Sequence, residues 1–415
     1  MDELAIHGGP RTRRTPWPGV GRRFGKEELR ELKEALAQNT LFYAQGRKTR
    51  DLCAAMKRLT GARFALACSS GSAALHAAVK ASGVGPGDEV ITSPITDAGT
   101  ILGIVYEGAI PVFADIDPST FNITPRTVQR RITRRTRAVI VVHLAGSPAD
   151  TKGIVRVCRR RKIRVIEDCA QSWGAKVGGK WVGTAGDFGC FSLNDFKHIG
   201  CGDGGLIIAN DQPLFRRAWL CIDKCYDRTA GGERLMEFAA PNYRITELQS
   251  AVALAQLRKL RGIVDRRHRL GERLSRGLAA IPGVSPPGVI PGGFATYWFY
   301  LIRLDADALG VSAETFADAM KAEGIPGRAG YVEPVHLAYP YLRRRTAFNH
   351  SAWPFSAAKG RQRYGKGLCP NAESELRRCF NFPLNQWLST REIDDVIRAV
   401  RKLCAHFRSR ARHAS

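Results

Sequence analysis

Residues 166–173, IEDCAQSW, and residues 191–205, FSLNDFKHIGCGDGG, set an acid at the end of an apolar strand and a lysine in a later glycine-rich loop. Asp168 closes the strand IRVIED, and Lys197 lies among Phe191, Leu193, Phe196 and Ile199. Pyridoxal phosphate chemistry needs these two protein groups. A carboxylate keeps the pyridine nitrogen protonated, and a lysine amine carries the aldehyde as a Schiff base. A lysine among apolar neighbours is desolvated, which lowers its pKa and frees the amine. Ligands of open α/β sheets bind outside the carboxyl ends of the strands, where Asp168 falls. Gln171 follows within reach of the ring's phenolic oxygen. Taken singly, Asp168 also fits a helix cap and Lys197 a surface turn.

The flanks extend the pattern. Ser70-Gly71-Ser72 stands between the strand ARFALAC and the helix SAALHAAVKA. Free N–H groups and the helix dipole make such a turn an anion site, although a serine cap without a ligand reads the same way. Ser192 and Asn194 precede the lysine and are expected to add donors to the cofactor's phosphate. The strands EVITS, PVFADI, AVIVVHL and IRVIED alternate with helices, which predicts a mostly parallel sheet covered on both faces. Helices are expected at 26–38, where Leu29, Leu32 and Leu36 repeat, and near 48–59. AKVGGKWVG reads as a hairpin turning at Gly178-Gly179. Residues 245–281 form one long helical pattern with a possible bend at Gly262. Beyond it come the strand YWFYLIRL, a helix near 312–323 and a last helix near 390–406. The division expected is an N-terminal arm (1–28), a large α/β domain (29–262) and a smaller α+β domain (263–415). That last domain carries a basic insertion near 343–373, read as a loop close to the substrate entrance.

The chain has 415 residues and a formal net charge of +26. The clusters at 130–137, 156–164 and 258–269 fall on amphipathic helices or turns, where solvated helix faces account for them; no nucleic-acid motif accompanies them. No apolar run is long enough to span a membrane, and the first residues lack a signal core. Eleven cysteines without paired Cys-x-x-Cys spacing point to reduced thiols in a cytoplasmic protein. Cys221 and Cys225 come nearest to a metal pair, and no second pair follows, so no metal is expected.

With SSGSAALHAA, GDEVITSPIT, GAIPVFADIDPSTFNITP, VVHLAGSPADTKGI, IEDCAQSWGA, the lysine loop and PNYRITELQSAVALAQL all in order, the chain resembles the DegT/DnrJ/StrS family of sugar aminotransferases, a branch of fold-type I pyridoxal phosphate enzymes, nearly end to end. The resemblance implies Lys197 as the Schiff-base lysine, Asp168 at the pyridine nitrogen and Gln171 near the ring oxygen. It places Gly71, Ser72 and Ser192 at the phosphate. It sends Asn242 to the cofactor of the neighbouring subunit, so that a homodimer shares its sites. Tyr43, His143, His198 and Arg244 are its candidates for contact with substrate. A histidine in place of Lys197 marks the family's dehydratase branch; here the lysine is present and His198 follows it, which favours amino transfer.

Two departures concern the substrate. Where the family's motif resembles FTFVAT this chain has ITDAGT, so Asp97 replaces the aromatic residue that stacks on the ring and is expected to bond cofactor or substrate instead. HLYGQPAD becomes HLAGSPAD, and Ala145 and Ser147 are expected to widen the pocket near His143. The implied function is amino transfer from glutamate or glutamine to a keto-sugar or keto-cyclitol in aminosugar or antibiotic biosynthesis. The basic insertion, through Lys359, Arg361, Arg363 and Lys366, would meet a phosphate or nucleotide on the substrate. Dehydration or rearrangement on the same scaffold, and a non-catalytic regulator, are the alternatives.

Overall fold

The computed structural model describes residues 3–228, 233–357 and 363–414. The large sheet contains β1 (Phe64–Cys68), β2 (Glu89–Thr92), β3 (Ile110–Phe113), β4 (Thr136–Val142), β5 (Arg164–Asp168), β8 (Phe188–Ser192) and β9 (Gly205–Ala209) in the order β1-β9-β8-β5-β4-β2-β3. The neighbours from β3 across to β8 pair in parallel, and β9 runs against both β8 and β1. The short strands β6 (Lys176–Val177) and β7 (Lys180–Trp181) form the expected hairpin. Its turn needs positive φ at both Gly178 and Gly179 (56° and 77°).

The strands are apolar along nearly their whole length because helices cover both faces. On one face lie α3 (Gly71–Ala81), α4 (Ala98–Tyr106) and α7 (Gln212–Ile222). On the other lie α2 (Lys48–Thr60) and the first half of α8 (Glu247–Ala279). The small helix α5 (Pro125–Gln129) and α6 (Thr151–Arg159) pack together beside β4 and β5. α8 starts at a capping box of Thr246 and Gln249 and continues as a single helix of 33 residues through Gly262. It buries Leu257, Leu260 and Val264 in the large domain and Leu270, Leu274 and Leu278 in the small one.

The small domain is an antiparallel sheet of β10 (Val284–Ser285), β11 (Tyr300–Leu304), β12 (Arg328–Ala329) and β13 (Cys379–Phe382), in the order β10-β11-β13-β12. The helices α9 (Ala313–Ala322) and α10 (Thr390–Ala414) pack on it.

Three expectations change. The helix α1 (Lys26–Ala37) forms where Leu29, Leu32 and Leu36 predicted it, but Leu29 and Leu36 are 54% and 61% exposed. Its buried face carries Glu28 and Glu31, neutralised by Lys48, Arg258 and Lys259. The N-terminal arm is part of the small domain: Leu4 sits in its core. The buried Glu323 carboxylate accepts from the Ala5 and Thr12 amides, the Thr12 hydroxyl and Lys402.

The third change concerns the basic insertion. Its described part is largely irregular and partly exposed, as a loop, but its inner residues pack into a core and none of them lines the main cavity. Phe355 and Tyr364 join a core with Phe113 and Phe299, and the Tyr364 hydroxyl donates to Pro111 O at 2.7 Å. Lys359 and Arg361 lie outside the described residues. Arg363 is exposed, and Lys366 lines a separate cleft with Glu373 and Arg377.

Arg13 ties the arm down. Buried beneath the start of α10, it donates to Asp395 at 2.6 Å and Glu392 at 3.1 Å. Removing one partner of a buried ion group strands the others without compensation. Arg13→Met is expected to lower unfolding stability by about 3 kcal/mol, measured by urea denaturation.

Candidate active site

A cavity of about 1300 Å³ opens where the carboxyl ends of the central strands face the small domain. It brings together Gly71, Ser72, Asp97, Asp168, Gln171, Ser192, Asn194 and Lys197. The sequence proposed each of these, and chain topology places them on one rim.

Asp168 ends β5. Its Oδ2 accepts from the Thr100 hydroxyl at 2.7 Å, and that hydroxyl lies 2.7 Å from Thr96 Oγ1. Its Oδ1 accepts from Ala170 N at 3.1 Å. Burial pushes its pKa up; the hydrogen bonds from Thr100 and Ala170 and the nearby Lys197 charge oppose the shift. A cationic ring nitrogen in the cavity would complete that compensation. Gln171 is fixed by accepting from Ala145 N at 2.9 Å.

Lys197 stands in the turn between β8 and β9, where its amide donates to Asn194 O at 2.9 Å. Burial lowers its pKa against the pull of Asp168 and Asp97. Its amine lies 3.9 Å from the centre of the Trp298 ring, and the Trp298 indole N–H donates to Phe196 O at 2.6 Å. Arg23 bonds the carbonyl oxygens of Asp195 and Lys197, pinning the turn from the other side. Asn194 directs its side chain to Phe196 N and Asp203, so it shapes this loop.

At the opposite end, α3 begins with Gly71 and Ser72. Ser70 caps Ala73 N at 3.0 Å, leaving the Ser72 hydroxyl exposed at the cavity. A Cβ on Gly71 would stand 2.7 Å from Ser192 Cβ, so glycine is required for the two segments to meet. A helix N-terminus with two flanking hydroxyls fits a phosphate. The buried carboxylate and the desolvated lysine fit the ring and aldehyde of pyridoxal phosphate.

Asp97 caps α4 by accepting from Gly99 N at 2.9 Å and presents the rest of its carboxylate to the cavity. The aromatic surface missing at that position is supplied elsewhere: Trp298, Phe299 and Tyr331 line the cavity from the small domain, and the Tyr331 hydroxyl lies 3.4 Å from Gln171 Nε2.

Several candidates lie away from the cavity. His143 is fully buried; its Nε2 lies 3.0 Å from Glu167, and its Nδ1 accepts from Ala149 N, so it braces the strand end. His198 is equally buried, with Nε2 against Thr296 O and a pKa pushed well below its usual value, mainly by burial. Ala145 and Ser147 border a separate void of about 10 Å³ with Phe121, Tyr297 and Phe299, so their small side chains do not widen the main cavity. Tyr43 and Arg244 meet at the buried Asp223, together with Arg228. Asn242 is exposed and accepts from Arg244 Nε at 2.8 Å. Among the described residues no helix is long and apolar enough to cross a membrane, and no group of three or more His, Cys, Asp or Glu residues could hold a metal ion.

Sequence reasoning passed over Thr100, Trp298, Tyr331 and Arg267. Trp298 and Tyr331 read as ordinary strand and loop residues, and nothing local ties them to Lys197. Thr100 carried a usable signal, a hydroxyl near the start of a helix that follows a strand end.

A family model described as the DegT/DnrJ/EryC1/StrS aminotransferase family matches residues 22–401. The chain belongs to that family. Membership makes it an aminotransferase of the pyridoxal phosphate-dependent kind. It is 32% identical over 387 residues to the spore coat polysaccharide biosynthesis protein SpsC of Bacillus subtilis (strain 168), covering 91% of this chain and 95% of that protein. Its fold is similar to the aminotransferase from Psychrobacter cryohalolentis, with a TM-score of 0.81, 27% identity and coverage of 95% and 99% of the two chains. It is also similar to DesI solved in the presence of its TDP-sugar product, with a TM-score of 0.81, 26% identity and 99% of each chain covered.

The contact between Gly71 and Ser192 yields a test. Gly71→Ala crowds the anion cradle without touching Asp168 or Lys197. Overpacking of about 1–3 kcal/mol corresponds to roughly fivefold to a hundredfold weakening of pyridoxal phosphate binding, read by titrating the apoprotein and following absorbance.

Proposed function

We propose that the protein holds pyridoxal 5′-phosphate in this cavity and moves an amino group from glutamate or glutamine to a keto-sugar or keto-cyclitol, in aminosugar or antibiotic biosynthesis. The observation that carries this reading is the placement of a desolvated lysine, a buried strand-end carboxylate and a helix N-terminus around one cavity. Pyridoxal phosphate supplies an aldehyde that accepts amino groups and a ring that withdraws electrons from the neighbouring carbon.

The chain's residues divide the remaining work. Gly71, Ser72 and Ser192 hold the phosphate. Asp168 accepts a hydrogen bond from the ring nitrogen and keeps its proton in place. Gln171 orients the phenolic edge. Lys197 Nζ, neutral more readily because it is desolvated, takes a proton from the donor's α-carbon and returns it on the ring side. Trp298 and Tyr331 shield these atoms from water.

The acceptor class is supported by SpsC, a polysaccharide biosynthesis protein, and by DesI, whose product is a TDP-sugar. The exposed leucines of α1 and the outward-facing Asn242 support a homodimer in which Asn242 reaches the partner's cofactor phosphate. Tyr43 and Arg244, locked together through Asp223, support the segment that carries Asn242. All eleven cysteines are free, which fits a reducing, cytoplasmic compartment.

Adding glutamate or glutamine to the loaded protein is expected to abolish its visible absorbance, and a keto-sugar or inosose to restore it. Persistence of the band with both donors would contradict the assignment. Lys197→Ala should lose the band of the resting protein and all measurable turnover.

A further inference from the structure

Arg267 lies on α8, within the basic cluster that the sequence explains as a solvated helix face. It points inward instead, is 5% exposed and lines the active-site cavity. Its Nε donates to Gln386 Oε1 at 2.8 Å. Its Nη1 donates to the carbonyl oxygens of Tyr297 at 2.9 Å, Trp298 at 3.1 Å and Leu384 at 2.9 Å. Among the described residues no carboxylate lies within ion-pair distance, and Nη2 donates to no protein group.

Arg13 makes the contrast plain. It is similarly buried and has two carboxylates. A buried charge without a counter-ion is strongly disfavoured. The three carbonyl dipoles fix the guanidinium and offset part of that cost, but the positive charge remains. Burial and the nearby Arg23 push the Arg267 pKa down to about 9, the direction expected of an uncompensated cation. Trp298 stands between this cation and the reactive lysine: its ring lies against Lys197 Nζ and its carbonyl oxygen accepts from Arg267. The unused donor therefore belongs to the wall beside the chemistry, where a substrate can reach it.

We infer that Arg267 is a substrate-binding residue whose guanidinium receives an oxyanion, either a carboxylate of the amino donor or a phosphate of the acceptor. The inference rests on the aminotransferase reading only for the source of that anion. Charge-assisted hydrogen bonds of about 1.5–3 kcal/mol set the expected effect at roughly tenfold to a hundredfold in affinity.

Two variants and two probes test it by calorimetry on the pyridoxal phosphate-loaded protein. Glutarate presents carboxylates without an amino group, and inorganic phosphate presents the other anion. At least one is expected to bind the unaltered protein, and Arg267→Met to weaken that binding by roughly ten- to a hundredfold. Because Arg267 also clasps α8 to the loop after β13, Gln386→Glu is the second variant. It keeps the guanidinium and its carbonyl bonds but sets a counter-charge against Nε, and should weaken the same anion about tenfold in a protein at least as stable. Loss of glutarate with phosphate retained assigns the donor carboxylate; the reverse assigns the acceptor phosphate. Failure of both anions to bind, or unchanged binding in Gln386→Glu, overturns the inference and leaves Arg267 a structural clasp. No amino group moves in these titrations, so anion binding through Arg267 would stand even if the transfer half-reactions failed.

Discussion

A carboxylate taken out of water at the end of a central strand constrains everything near it. Asp168 is surrounded by sheet and helix, so its charge depends on a hydroxyl, an amide and a cation supplied from separate parts of the chain. Thr100 comes from α4, which must start where Asp97 caps it. The cation comes from the β8–β9 turn, which glycine geometry and Arg23 hold in place. Even the strand end is braced, since the Asp168 carbonyl oxygen accepts from His143 N. Moving any of these elements would leave a buried acid to protonate itself or to pull in water.

The same economy governs the other side of the cavity. On the proposed mechanism Lys197 must lose a proton, and an ion pair with a carboxylate at contact distance would hold it. Here its amine lies over the indole of Trp298, a neighbour that attracts the cation more weakly than a carboxylate. Trp298 belongs to the small domain, so the surroundings of the Lys197 amine depend on how the two domains meet. Arg267 fastens that junction with three backbone carbonyls.

The large domain was readable because its elements obey local rules: apolar strands, caps, glycine turns, and a lysine and an acid at strand ends. Lys197, Asp168, Gln171, Ser72, Ser192 and Gly71 could be named because the chain passes through the site in short consecutive visits. The small-domain wall was not readable. Trp298 and Tyr331 reach the site only through tertiary packing, and their residue types suit a strand or a loop equally well. Arg267 was hidden by its neighbours, since Arg266 and Arg269 give the same residue type on the same helix and charge alone does not tell which one turns inward. Two histidines show the converse. His143 and His198 stand near the chemistry in sequence, yet neither lines the cavity: both ring nitrogens of His143 are bonded, to Glu167 and Ala149, and Nε2 of His198 lies against Thr296 O. The α1 leucines repeat with a helical period, but the helix buries its acids because α2 and α8 offer matching cations.

The contact between the segment of Leu4 and Arg13 and α10 orders folding during synthesis. Leu4 and Arg13 precede α10 by most of the sequence, yet Leu4 shares a core with Ile393 and Val396 of that helix, and Arg13 pairs with its Glu392 and Asp395. The large domain can assemble while synthesis continues, because its strands and helices follow one another closely. The small domain cannot close until α10 has been made, since the arm that packs into it waits for that helix. A nascent chain that stops before residue 390 therefore has the large-domain side of the cavity complete, while the small domain that carries Trp298 and Tyr331 lacks the helix that packs on it.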